Sequence, residues 1–313
     1  MVTASQQTVS LAPAAEDAAV AAPPEATTRG WFGRRLRALG AGPLAGLVII
    51  AIFAIFAIFA PVIAPHDPDY QFADGLSALG APLPPGSPPF LLGTDTFGRD
   101  MLSRLIYGSR VALFIAVVPN TIALLLATVV GASAGFFGGT VDTVLMRVTE
   151  MMMILPTFLL ALALLAVLGP GLHVVVAALV LVSWTYPARV VYGETLRIRE
   201  LAFVEAARAL GAGDPRIIIR HVLPQLRRLL LIYFTLNAAS MVLIEAGLGF
   251  IGFGVQPPTP SWGAMIEEGS RVLFWPWLIL LPGVSLALLG AGFYLVGTGL
   301  QRAAGPRLSR VRL

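Results

Sequence analysis

The sequence predicts an all-α integral membrane protein with six transmembrane helices, on three observations. Of 313 residues, 57% are hydrophobic and only 12% charged, about half the roughly 25% charge of soluble domains. The apolar residues gather into six runs of spanning length, at about Leu44–Ile63, Val111–Val130, Met151–Leu168, Leu172–Val191, Leu229–Phe250 and Val272–Val296. The 21 basic residues, all arginine, fall mostly between these runs. In lipid the backbone must satisfy its own hydrogen bonds, so unbroken runs of this length are helices.

Residues 1–28 are rich in Ala, Pro and Thr, with Glu16, Asp17 and Glu25 as the only charges. They read as a disordered tail that cannot bury enough surface to order itself. A basic flank, 29–43, carries Arg29, Arg34, Arg35 and Arg37. The first run exceeds the roughly 7–15 apolar residues of a signal peptide and can cross a ~30 Å core, so a retained helix is predicted. Pro119, Pro156, Pro187, Pro276 and Pro282 lie in or beside the runs and are expected as kinks, which membrane helices tolerate.

Six helices place both ends of the chain on one side. Seventeen arginines fall on that side, and Arg99, Arg104, Arg110 and Arg271 on the other. The positive-inside rule then makes both termini cytoplasmic. The six-helix domain is predicted over 44–300, with an external loop at 64–109, a shorter one at 251–271, a cytoplasmic loop at 192–228 and a basic tail at 301–313.

Several chemistries are excluded. There is no cysteine for a thiol nucleophile or a metal site, and His66, His173 and His221 are scattered. Without lysine the phosphate-cradling loop of nucleotide hydrolases cannot be built, so any ATP must be bound by another chain. The net charge of +4 does not signal nucleic-acid binding, because the arginines are spread between apolar segments rather than gathered on one face.

The 192–228 loop is the most informative stretch. Glu200–Leu210 has helix formers with an apolar stripe, and Gly211 is placed to end it. Asp214-Pro215 is expected to start a second short helix, Asp as N-cap and Pro first, carrying Ile217, Ile218, Val222 and Leu223 and ending at Pro224. Taken alone, this is an amphipathic interfacial hairpin. Its spacing, Glu205-Ala206-Ala207, three residues, Gly211, and a terminal Leu223-Pro224, resembles the cytoplasmic coupling motif of ATP-binding-cassette import permeases. His221 stands where the wider superfamily has isoleucine, a feature of the peptide-importing subgroup.

Two more stretches resemble that subgroup, Leu92-Gly93-Thr94-Asp95-Thr96-Phe97-Gly98-Arg99-Asp100-Met101-Leu102-Ser103-Arg104, with Gly108 and Arg110 following, and Gly249-Phe250-Ile251-Gly252-Phe253-Gly254-Val255-Gln256-Pro257-Pro258-Thr259-Pro260-Ser261-Trp262-Gly263. Taken alone, the first is a polar turn and a Gly-Arg-Asp step into an interfacial helix, with charges expected to pair locally. Gly135-Phe136-Phe137-Gly138-Gly139 with Asp142 also fits. Thr298, Arg302 and Gly305 depart from the pattern, standing where aspartate is common. The resemblance is to the second (C-type) permease of oligopeptide, dipeptide and nickel importers. It implies a type I importer permease fold in a bacterial inner membrane, with Glu205, Ala206, Ala207, Gly211, Asp214, Leu223 and Pro224 coupling to an ATPase. It also implies a second homologous permease, two cytoplasmic ATPase subunits that bind ATP-Mg, and an extracytoplasmic peptide-binding protein. No catalytic, cofactor or metal residue is expected in this chain, and its remaining partner is membrane lipid.

Asn237 and Glu245 lie within the fifth run. An ionisable group there is costly and a functional candidate by default, and two readings of Glu245 stay open: a pathway group, or an acid holding backbone near Gly247–Gly254. Arg147 and Glu150 are spaced to pair. The competing functions are an ion-coupled secondary transporter, which should show internal repeats and buried acids, an intramembrane enzyme, and a permease for nickel chelates or glutathione.

Overall fold

The computed structural model describes residues 41–272 and 274–304. The expectations for residues 1–28, for most of the 29–43 flank and for most of the 301–313 tail lie outside the described residues. The first helices, α1 (Ala41–Ile63) and α2 (Met101–Phe137), are both long and apolar enough to cross a membrane. Asp100 caps α2 by accepting the Ser103 N–H at 3.0 Å. The helix stops at Gly138, where φ is +68° and the amide donates to Ala134 O. It therefore begins at Met101 and ends at Phe137, well beyond the apolar run of 111–130.

The third run is not one straight span. Helices α3 (Gly139–Ile154) and α4 (Thr157–Leu168) meet at 86°. Pro156 has no N–H to give and its ring excludes the preceding turn, and Leu155 before it is extended at φ −75°, ψ 130°, as a pre-proline residue prefers. The fourth run is α5 (Leu172–Ser183) followed by α6 (Thr185–Arg199), with an interruption at Trp184. Next come α7 (Ala202–Ala209), α8 (Asp214–Ile217), a π-helical turn at Ile218–Val222, and α9 (Leu223–Phe250).

The expected loop at 251–271 contains a helix, α10 (Trp262–Ser270), whose N-cap Ser261 accepts the Ala264 N–H at 3.3 Å. The last helix, α11, spans Trp277–Ala304 and so starts after Pro276 rather than at Val272. One end of the bundle carries the 64–100 loop and α10 (the loop end). The other carries α7 and α8 (the hairpin end).

The hub is α2, which packs on α1, α5, α6 and α9. Its closest neighbour is α6, because glycines let the backbones touch. A Cβ on Gly131 would lie 2.4 Å from Ala188 O, and one on Gly135 2.8 Å from Tyr192 O. Between α1 and α11, Gly46 does the same against Gly292 O. Small residues at the seam are how helices associate in lipid, where the apolar solvent supplies no hydrophobic drive. Outward-facing Ile58, Val62, Leu125, Val129 and Val167 remain exposed, as lipid-facing positions should.

Candidate functional site

At the hairpin end, α7 turns Val204 inward, where it is fully buried, while Glu205 and Ala206 face out and Ala207 is half-buried. The helix closes through Gly211, φ +81°, which lets the Ala212 N–H reach Ala207 O at 3.0 Å. A Cβ on Gly211 would meet nothing, so the residue is needed for its backbone angle and not for space. A side chain there would cost about 1–2 kcal/mol.

The second arm differs from expectation in two ways. Gly213, not Asp214, is the N-cap, and Asp214 opens the helix without a side-chain cap bond. Nor does Pro224 end it. The arm passes through the π turn into α9, with Pro224 in the first turn of that helix where its missing N–H costs nothing. One helical rod, Asp214–Phe250, joins the hairpin to the fifth span. Such π turns relieve an extra residue in a helix and recur at functional sites.

The hairpin is seated rather than suspended. Val204, Ile217, Val222 and Leu226 bury against Ala132 and Phe136 of α2 and Val191 and Ile198 of α6. Each such side chain contributes about 1.5–3 kcal/mol where the surroundings are water. The Tyr192 hydroxyl donates to Asp142 at 2.9 Å, tying α6 to α3. The expected Arg147–Glu150 pair forms at 3.5 Å, and Glu150 also takes Arg189 at 2.5 Å.

The two intramembrane polar residues are apart from the hairpin and from each other. Asn237 donates to Asn120 Oδ1 at 2.9 Å, and Asn120, fully buried on α2, donates to Phe234 O at 2.7 Å. Asn120 escaped the sequence reading. Glu245 is 3% exposed, and its Oε1 is buried without a hydrogen-bond partner among the described residues. Gly254 packs so closely on Gly249 that a Cβ would lie 2.4 Å from Gly249 Cα and 3.5 Å from Glu245 Oε1. The acid thus lies against the loop that follows α9.

At the loop end the charges pair more widely than the sequence suggested. Asp95 binds Arg99 at 2.5 Å and lies 3.2 Å from Arg104 Nε, with Asp95 2% and Arg104 5% exposed in their side chains. The pairing is not only local. Glu268, from α10, accepts Arg99 Nη2 at 2.9 Å and the Thr96 hydroxyl at 2.5 Å. His66 joins the α2 cap, its N–H on Ser103 Oγ at 3.0 Å and its ring 3.4 Å from Asp100. Burial, reinforced by nearby Asp95, raises the Glu268 carboxyl above the usual range. This network walls a cavity of about 510 Å³ shared by the Thr96–Arg99 turn, the Gly252–Pro257 loop and α10.

Among the described residues, five long helices, one bent helix pair and a seated hairpin define the class: the fold is that of a type I importer permease. It is similar to a chain of the MetNI methionine ABC transporter in an inward-facing conformation, with a TM-score of 0.54, 18% identity, and coverage of 66% of this chain and 98% of that one. The family model described as "binding-protein-dependent transport system inner membrane component" matches residues 127–310, and that of the N-terminal membrane domain of oligopeptide transport permease C matches 42–85. The chain belongs to this family of membrane transport permeases. It is 38% identical to the di/tripeptide transport system permease protein DppC of Pseudomonas aeruginosa, over 85% of this chain and 88% of that one. It is 35% identical to the glutathione transport system permease protein GsiD of Pectobacterium atrosepticum, over 69% and 72%. These relationships do not favour an ion-coupled secondary transporter.

Proposed function

We propose that this chain is the second permease subunit of an ATP-driven importer of di- or oligopeptides, forming half of the transmembrane pathway. The observation that carries the coupling role is the hairpin. It presents Glu205 and Ala206 outward while its second arm runs unbroken into a membrane span. Two ATPase subunits holding ATP-Mg, a second homologous permease and an external peptide-binding protein complete the machine. The arginine distribution supports a cytoplasmic hairpin and cytoplasmic termini, with the 64–109 loop and α10 outside.

In this reading, closure of the ATPases displaces Glu205, Ala206, Ala207 and the Gly211 bend. The Asp214–Leu223–Pro224 arm passes the displacement to α9, and the bundle switches between outward-open and inward-open states. The peptide class rests on the names of the relatives, and the glutathione relative leaves a second peptide-like cargo in view. Purification with its co-expressed neighbours, followed by ATPase stimulation with a binding protein loaded from a peptide library, tests both. Glu205→Ala and Gly211→Val should retain membrane insertion but lose peptide-stimulated uptake. Normal uptake in both would overturn the coupling assignment.

A further inference from the structure

The hairpin is joined in sequence only to α6 and α9, yet an arginine on each side of α7 reaches the end of α2. Helix α2 ends at Phe137, so Gly135 is in its last turn, where carbonyls lack an intrahelical partner and the negative end of the helix dipole concentrates. Arg199, the final residue of α6, fills that need. Its Nη1 donates to Gly135 O at 2.9 Å. From α7, the Arg208 guanidinium lies 5.2 Å from the centre of the Phe136 ring, a cation–π distance. Both flanks of α7 therefore hold consecutive residues of one helix end. Phe136 is itself buried in the apolar seat shared with Val204 and Ile217, and Gly131 and Gly135 keep α2 in backbone contact with α6.

We infer that Arg199 and Arg208 are positioning residues that clamp the end of α2 to the hairpin, so that α2 moves with the hairpin and is its second output beside α9. This assigns a role to the Gly135–Phe136–Phe137–Gly138–Gly139 stretch: it is the grip on which the clamp closes. The bare Gly135 is required for the backbone approach of α6, and Phe136 supplies the ring under the cation. The inference rests on the coupling reading of the hairpin.

The test uses the complete importer, with both permeases, both ATPases and the binding protein, reconstituted in vesicles. Uptake of a labelled dipeptide and ATP hydrolysis are measured together for Arg199→Ala, Arg199→Lys, Phe136→Leu and Glu205→Ala. Losing this charge-assisted bond should cut peptides carried per ATP at least tenfold in Arg199→Ala, with ATPase subunits still co-purifying and basal hydrolysis retained. Arg199→Lys, whose ammonium can still reach the Gly135 carbonyl, should recover to within about threefold. That rescue, and the split between hydrolysis and uptake, would not follow from a general loss of folding. Phe136→Leu keeps an apolar side chain in the seat, removes only the ring, and should lower the ratio by a few-fold. Wild-type peptide-to-ATP ratios in Arg199→Ala and Phe136→Leu, with Glu205→Ala uncoupled, would overturn the clamp alone. Normal ratios in all three would overturn the coupling reading as well.

Discussion

The Asn120–Asn237 pair offers a quantitative test of what holds α2 to α9. Truncating Asn120 to Ala removes two hydrogen bonds, to Phe234 O and from Asn237. Bonds between membrane helices average about 0.6 kcal/mol and reach about 1.7, so the pair contributes roughly 1–3 kcal/mol. The Asn237 amide, half-buried, then loses its partner at a further cost of about 1–3 kcal/mol. Asn120→Ala should therefore destabilise by about 2–6 kcal/mol and Asn237→Ala, which removes one bond and leaves the buried Asn120 Oδ1 unpaired, by about 2–5 kcal/mol. The double variant should cost less than the sum by about 0.6–1.7 kcal/mol, the bond counted twice. Reversible SDS titration of the purified permease in mixed micelles, read by helix content, closes the cycle. A coupling energy within about 0.3 kcal/mol of zero, the additivity expected of independent sites, would refute the pairing.

Other outcomes follow from the same geometry. Asp95→Ala leaves Arg99 and Arg104 buried with fewer counter-charges and should cost about 3–5 kcal/mol, read as accelerated proteolysis of the 64–100 loop. Glu268 behaves oppositely. Its raised pKa means the folded protein holds the proton more tightly than the unfolded chain, so its charge lowers stability as pH climbs from the ordinary carboxylate value to the raised one. Glu268→Gln should remove that slope from a pH series of melting temperatures and remain folded at neutral pH. Gly131→Leu should separate α2 from α6, cost about 1–3 kcal/mol or more by overpacking, and lower the yield of folded protein from membranes.

The apolar runs marked where the membrane is crossed, because hydrophobic length is a property of sequence alone. What escaped was whatever depends on a neighbour. Pro156 was visible, but membrane helices accommodate proline, so nothing in the run 151–168 distinguished a mild kink from an 86° break. Asn120 looked like one polar residue in an apolar stretch until α9 brought Asn237 against it. The charges around Asp95 read as a local turn because Glu268 lies far along the chain. In the hairpin, Gly211 was legible since positive φ is a chemical demand on one residue. The passage of the helix through Pro224 was not, because a proline in a first turn and a proline at a stop look alike in sequence. The hairpin's spacing was legible, whereas its seat on α2 needed the fold.

The unbroken rod from Asp214 to Phe250 has a mechanical implication. Its 37 residues make a beam about 55 Å long at 1.5 Å per residue, longer than the bilayer is thick. A tilt of about 5° at its foot displaces its head by about 5 Å over that length. The head carries the glycine loop that packs against Glu245, and that loop walls the cavity of about 510 Å³ at the opposite end of the bundle. A nudge at one surface of the membrane can thus reshape a chamber at the other without any intervening relay.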